Sequence, residues 1–271
     1  MKIQKALELG CCTLHSETAL LDSELLLQKA SGLSRETIYA YPERKLSLFS
    51  QIRFLYYLHA ASHHKPIAYL TGHKEFFGMD FQVNRHVLIP RPDTELLVEE
   101  ALKILKNNSY LVEIGTGSGC ISCAIAKSKQ DLQILACDIS RRALALAKKN
   151  IQRLTLQNTI RLQKADLIVP KIEKADLIIA NLPYIRSKDY LALPLTIRKY
   201  EPRLALEAGA DGLKYYKKLL AQLPNYQGVI LIEISDLQQA QELETLFPGF
   251  HYEYLKDLSG SIRALKITKK T

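Results

Sequence analysis

The 271-residue chain predicts an α/β fold: a mainly parallel, seven-stranded sheet with helices on both faces, behind a helical bundle and a β-hairpin connector. Three observations predict it. Residues 1–62 repeat apolar residues at helical spacing. Turn punctuation separates short aromatic and β-branched runs over 66–90. After Asn107-Asn108, strand-like and helix-like runs alternate, as a parallel sheet with crossover helices requires.

In 16–31, Ser16 is placed to cap a helix, leucines at 20, 21, 25, 26 and 27 give a broad apolar face, and Gly32 ends the run. A second run, 47–62, opens on Ser47. Two or three short helices of this kind make a small bundle. Thr71-Gly72 and Phe77-Gly78 then punctuate a hairpin that leads into Ile89-Pro90-Arg91-Pro92, where proline fixes the backbone. Asp93 is expected to cap a helix over 94–105. Strands follow at 110–114, 132–137, 159–163, 175–180 and 229–234, with helices at 117–129, 140–153, 211–222 and 236–246. Terminal strands near 250–255 and 261–267 have no helix between them, so at least one runs antiparallel. The expected domains are a helical domain over 1–64, a connector over 65–92 and the sheet domain over 93–271.

Composition narrows the function classes. Hydrophobic residues at 47% and charged residues at 24% exclude a disordered, collagen-like or disulfide-scaffold chain. No uncharged apolar run approaches the ~18 residues of a membrane span, and Lys2, Lys5 and Glu8 interrupt any signal-peptide core. Five cysteines fit a reducing cytoplasm. The net charge of +9 is concentrated: residues 127–174 hold eleven Lys/Arg against four Asp/Glu, while residues 1–85 hold ten against eight. That stretch reads either as a solvated helix surface or as a footprint for an anionic partner. Charge alone does not choose.

Gly115-Thr116-Gly117-Ser118-Gly119 follows the first strand of the sheet and opens a helix. Glycines at alternate positions let the backbone turn sharply and approach a ligand. The dinucleotide fingerprint fails, because its third glycine would fall on Cys120 or Ser122, and no Gly-Lys-Ser/Thr follows for a phosphate-cradling loop. Asp138 ends the second strand, where an acid can accept two ribose hydroxyls; capping the next helix is its alternative role. A glycine loop without a pyrophosphate signature, plus a ribose-binding acid, suits S-adenosylmethionine. Asp166-Leu167 closes the third strand, at the place for an adenine, or simply as a turn.

Asn181-Leu182-Pro183-Tyr184 is the most specific feature. An apolar strand delivers Asn181 at its C-terminal edge, where such sheets bind ligands. A planar nitrogen on an sp² carbon is a poor nucleophile, since its lone pair is delocalised. The Asn181 side-chain oxygen and the Leu182 carbonyl can accept both of its N–H groups and aim the lone pair at a sulfonium methyl. Pro183 stiffens the turn, and Tyr184 offers a face for a planar substrate and a developing cation. Catalysis is then positioning and preorganised dipoles, with no base needed before attack.

Together these residues resemble class I methyltransferases acting on planar nitrogen, with their Rossmann-like sheet. Leu88–Glu95 (LIPRPDTE), Pro66–Gly72, Glu75-Phe76, Leu21–Leu27 and Tyr200–Leu206 further resemble the bacterial release factor (protein-glutamine-N5) methyltransferase family, PrmC/HemK, over essentially the whole chain. The resemblance implies methyl transfer to the glutamine of the Gly-Gly-Gln motif of class 1 peptide chain release factors, with the helical start gripping the factor. It implies S-adenosyl-L-methionine held by Gly115, Thr116, Gly117, Ser118, Gly119, Asp138, Asp166, Leu167 and Asn181, leaving S-adenosyl-L-homocysteine. Asn181, Leu182, Pro183 and Tyr184 would form the catalytic turn, and Arg91 and Pro92 would join them at the substrate. Two positions depart from the family: Leu182 stands where it has the first proline of Asn-Pro-Pro-Tyr, and Leu167 where it often has an aromatic residue. The Asn-Leu-Pro-Tyr spelling is shared with rRNA adenine dimethyltransferases, so an adenine-N6 RNA or DNA methyltransferase is the rival reading. A non-catalytic cofactor-binding module of the translation machinery is a third.

Other candidates carry less. Cys120, Cys123 and Cys137 lack a matching ligand pair and read as small buried hydrophobes, and His59 and His63 lack a helical Glu partner, so no metal is expected. The expectation is a cytoplasmic monomer that needs neither membrane nor nucleic acid.

Overall fold

A computed structural model describes residues 1–270. The chain divides into two compact units.

The first comprises Met1–His73 with Pro194–Tyr200. Its helices are α1 (Ile3–Thr13), α2 (Ala19–Ser31), α3 (Arg35–Ala40), α4 (Leu48–Ser62) and α5 (Ile67–Thr71), with a later short helix, Leu195–Tyr200. Ile3, Leu26, Leu27, Ile38 and Phe54 are buried at its centre. Helices α1 and α2 meet at Gly10, where a Cβ would stand 2.2 Å from the Ser23 hydroxyl, so only glycine permits this approach. Ser47 caps α4 as expected, accepting from the Ser50 N–H at 3.1 Å, and Gly32 ends α2 with φ +72°. Ser16 does not cap. The Asp22 carboxylate takes the hydroxyls of Ser16 and Thr18 at 3.2 and 3.0 Å, which holds 16–18 in a turn and delays α2 to Ala19.

The second unit, Lys74–Leu193 with Glu201–Thr271, holds the sheet. It opens with the hairpin β1 (His73–Phe76) and β2 (Met79–Gln82), whose turn residues Phe77 and Gly78 both have positive φ, the turn conformation that matches strand twist. Phe76 and Phe81 are buried with Leu97, Ile125 and Leu177, so the hairpin packs into this unit's core. Then come α6 (Glu95–Ile104), β3 (Tyr110–Ile114), α7 (Cys120–Ser128), β4 (Gln133–Asp138), α8 (Arg141–Arg153), β5 (Ile160–Lys164) and β6 (Leu177–Ala180). After α9 (Ser187–Tyr190) and α10 (the Leu195–Tyr200 helix of the first unit) follow α11 (Lys214–Ala221), β7 (Val229–Glu233), α12 (Leu237–Leu246), β8 (Phe250–Lys256) and β9 (Ile262–Lys269). Asp93 is not the cap of α6: a 3-10 turn over Pro92–Thr94 precedes it, and the Asp93 carboxylate pairs with Arg263 at 3.6 Å.

The strand order is β5-β4-β3-β6-β7-β9-β8. The first five are parallel; β9 is antiparallel to both neighbours. All four residues of β6 are buried, as a central parallel strand covered on both faces requires. The order reverses between β3 and β6, and ligands bind outside the carboxyl ends of strands at such a switch point. No helix among the described residues is long and apolar enough to cross a membrane.

Candidate active site

Strand β3 ends in the glycine loop, whose Gly115 and Thr116 N–H groups both donate to the Cys137 carbonyl at 2.9 and 2.8 Å. Gly115, Gly117 and Gly119 have φ of +80°, +55° and +81°, a region costly for a residue with a Cβ. At Gly119 a Cβ would also lie 3.3 Å from that of Ala147, so α7 and α8 close up behind the loop. Asn150, fully buried on α8, locks this corner by donating to the Ser118 carbonyl at 2.8 Å and pairing both ways with the Gln82 backbone of β2.

Beneath the loop lies Glu113. One carboxylate oxygen accepts from the hydroxyls of Thr116 (2.7 Å) and Ser122; the other is buried without a partner. Burial pushes this carboxyl up to about 7, against those hydroxyls. A raised acid pKa means that the folded state binds the extra proton, so stability is fully present below the unfolded value and is lost as pH rises through about 7. The wild type should therefore lose about 3 kcal/mol relative to Glu113→Gln between pH 4 and 8. Urea unfolding of both proteins across that range checks this; a pH-independent difference would contradict it.

Asp138, the last residue of β4, accepts from the Gly117 N–H at 2.9 Å and the Ser140 N–H at 2.8 Å. It does not cap α8, because Ser140 does, accepting from the Ala143 N–H at 3.2 Å. Burial raises the Asp138 pKa, and its backbone hydrogen bonds oppose the rise. Each carboxylate oxygen keeps a lone pair for a ligand.

These residues border a cavity of about 310 Å³, lined also by Arg91, Asp166, Leu167, Asn181, Leu182 and Pro183. Gly119, Pro92 and Tyr184 are not in its lining. The lining fits S-adenosylmethionine. The acceptor pair on Asp138 suits a ribose diol, and Leu167 offers an apolar wall for a purine. At Gly117 a Cβ would meet nothing nearer than the Gly115 carbonyl at 4.0 Å, so backbone there is open to a ligand. Leu167 itself sits at φ +68°, and the adjacent Asp166 carboxylate pairs with Lys218 at 2.6 Å. Cys120 and Cys137 are buried and their thiols are pushed up to about 12 by burial, the state of inert packing residues.

The Asn181 side chain is anchored on one side only. Its Nδ2 donates to Glu233 at 2.9 Å and to the Thr94 hydroxyl at 3.2 Å. The second Glu233 oxygen accepts from the Tyr184 hydroxyl at 2.9 Å. With its amide nitrogen committed to the protein, Asn181 has its Oδ1 free to accept. The Leu182 N–H donates to the Tyr216 hydroxyl at 3.2 Å, and that hydroxyl donates in turn to the Glu233 carbonyl. Sequence reasoning missed Glu233, Thr94, Tyr216 and Asn150. Glu233 left a signal as an acid closing the apolar strand Val229–Ile232, and Thr94 stands in the LIPRPDTE run. The Tyr184 hydroxyl is bound to Glu233, and Gln239 donates to the Tyr184 carbonyl at 2.7 Å. Arg91 is paired with buried Glu201, which also accepts from the Ile89 N–H at 3.1 Å, so this pair pins the Pro-Arg-Pro segment.

A parallel sheet interrupted by one antiparallel strand beside β7, with its cavity at the switch point, makes this a class I, S-adenosylmethionine-dependent methyltransferase. Residues 92–197 match the family described as Methyltransferase small domain, and residues 6–72 match the PrmC N-terminal domain. Curated proteins named release factor glutamine methyltransferase include one from Rhodopirellula baltica, 35% identical over 94% of this chain and 90% of its own length. Another, from Streptococcus pneumoniae, is 40% identical over 75% of each chain. The chain belongs to the release factor glutamine methyltransferase family. Among solved structures, the human METTL16 catalytic domain bound to an RNA hairpin covers 72% of this chain and 77% of its own, with a TM-score of 0.58 and 16% identity. That likeness is one of fold.

Asp138→Ala should weaken cofactor binding about tenfold to hundredfold, since hydrogen bonds to a charged acceptor contribute about 1.5–3 kcal/mol. Calorimetric titration with S-adenosylmethionine measures it; unchanged affinity would remove Asp138 from the ribose site.

Proposed function

We propose that this enzyme methylates the side-chain amide nitrogen (N5) of the glutamine in the Gly-Gly-Gln motif of class 1 release factors. One observation carries the mechanism: Glu233 and Thr94 hold the Asn181 amide nitrogen, which leaves its oxygen as an acceptor at the cavity. The bound cofactor supplies an electrophilic sulfonium methyl. Asn181 Oδ1 and the Leu182 carbonyl accept the two N–H groups of the substrate amide, fix its plane and turn its lone pair toward the methyl. The nitrogen gains the methyl as the methyl–sulfur bond breaks, leaving the neutral thioether S-adenosyl-L-homocysteine, and the nitrogen then releases one proton to solvent, so no protein base is required. Pro183 stiffens the turn, and Arg91 and Pro92 border the substrate; Tyr184 acts by steadying Glu233. Gly115–Gly119, Asp138, Asp166 and Leu167 hold the cofactor.

A protein substrate is supported by α4. Leu48, Phe49, Ile52, Leu55 and Tyr56 line one face of this helix and are 47–73% exposed, a contiguous apolar stripe of the kind that marks a protein-binding surface. In this reading residues 1–64 grip the release factor, 65–92 link, and 93–271 carry the chemistry. The enzyme works as a cytoplasmic monomer with no nucleic acid required; five free thiols suit that compartment.

The test is transfer of labelled methyl to a purified release factor, beside one whose motif glutamine is changed to alanine. Label in the first alone is expected. Equal labelling of both, or label only in added rRNA, would sink the assignment. Ile52→Asp should raise KM for the factor about tenfold while leaving kcat unchanged, measured by the same assay at varied factor concentration.

A further inference from the structure

We propose that the outward face of α8 is a docking surface for the phosphate backbone of RNA. From Ile139 to Ala165 the chain carries seven Lys/Arg and no acidic residue. Arg153 is paired with Asp80, and Arg142 borders the cofactor cavity. Arg141, Lys148 and Lys149 point outward from α8, and all three are exposed. Lys164, also exposed, lies level with Asp138 in the β4–β5 register, at the end of the layer where α8 begins. None of these four has an acidic partner among the described residues.

The arrangement costs the free protein something. Arg141 sits in the first turn of α8, where the helix dipole favours anions, and Lys149 stands four residues from Arg153, a like-charge pair. A polyanion relieves both.

The chemistry of the face selects the partner. Of the apolar residues of α8, Ala143, Leu146, Ala147 and Ile151 are buried and Leu144 is half-buried, which leaves Ala145 as the exposed one, a single methyl and too little to insert into a membrane. Its outward face has no aromatic or large apolar anchor of the kind protein interfaces need, in contrast to α4. Arg141 and Lys148 are seven residues apart, about 10 Å along the helix, a step of about three nucleotides at 3.4 Å each. With no side chain to stack on a base, binding follows the backbone and tolerates any sequence. The choice of RNA over DNA rests on the proposed role in translation, and the surface is not needed for methyl transfer.

The test is fluorescence anisotropy of a labelled 20-nucleotide RNA of mixed sequence, titrated with the full-length protein and with Lys148→Glu/Lys149→Glu from 25 to 300 mM salt. Four contacts give an expected log–log salt slope near −3, at about −0.7 per phosphate. The double variant should bind at least about tenfold more weakly at 50 mM, and Lys149→Gln alone should flatten the slope by about 0.7. Methyl transfer to the release factor, assayed in the same samples, should stay within about twofold, which separates failure of this proposal from failure of the enzymatic assignment. Absence of saturable binding at 25 mM, or an unchanged slope in the variants, would overturn the proposal. So would a DNA of the same length binding more than about tenfold tighter, or preferential binding to vesicles of anionic lipid.

Discussion

Asn181→Ala should lower kcat by about two to three orders of magnitude, the cost of deleting one preorganised group at a reacting centre. Cofactor affinity and KM for the release factor should change by no more than about threefold, because the lost hydrogen bond matters most when the amide plane is fixed for attack. Single-turnover kinetics at saturating substrate isolates that step. The side chain is small and half-buried, and its Nδ2 is the atom tied to the fold. Alanine therefore leaves Glu233 and Thr94 facing a small void, and thermal unfolding should show a loss of about 1–3 kcal/mol. A variant that keeps full turnover, or loses factor binding instead, would refute the assigned role.

What could be read in the sequence was local. Gly115–Gly119, Asp138 and Asn181 each follow directly from an apolar strand, so pattern and role sit within a few residues of one another. The rest of the site depends on strand order. Glu233 and Thr94 reach Asn181 from 52 and 87 residues away, and only the β6–β7 pairing and the turn after Pro92 bring them together. The packing of the hairpin is hidden for the same reason: Phe76 and Phe81 are ordinary strand aromatics until α6 and α7 cover them. Ser16 had the right residue type for a cap, but Asp22 competes for its hydroxyl. The departure at Leu182 gains an explanation from contact. Its side chain is buried, and a Cβ added at Gly115 would come within 3.1 Å of it. The turn that presents the Leu182 carbonyl thus packs on the glycine loop, and packing supplies rigidity where the family uses the first proline of Asn-Pro-Pro-Tyr.

Glu233→Gln should lower kcat about tenfold to hundredfold with cofactor affinity unchanged, and should remove the acid limb of the pH profile. The ionised carboxylate offers an oxygen to each of two donors, Asn181 Nδ2 and the Tyr184 hydroxyl. A glutamine has one acceptor and one donor in their place: it keeps its oxygen on Asn181 Nδ2 only when the Tyr184 hydroxyl turns round to accept from its amide, and in its other orientation it drives Asn181 to flip, presenting N–H to a substrate that also presents N–H. Protonation does the same in the wild type. Burial raises the Glu233 pKa above the ordinary carboxylate range, while the hydroxyls of Thr94 and Tyr184 hold it down. Turnover should therefore rise with pH through that raised value and level off above it. Stability moves the other way, because a raised acid pKa contributes stability that is complete below the unfolded value and lost as pH rises through the folded one. The wild type is thus more active and less stable on the alkaline side, whereas Glu233→Gln should lose both dependences and melt no lower at neutral pH. In an Asn181→Ala background the same change should cost less than about threefold, since its effect runs through Asn181. A wild-type-like acid limb in Glu233→Gln, or full additivity in the double variant, would show that Glu233 acts on the fold alone.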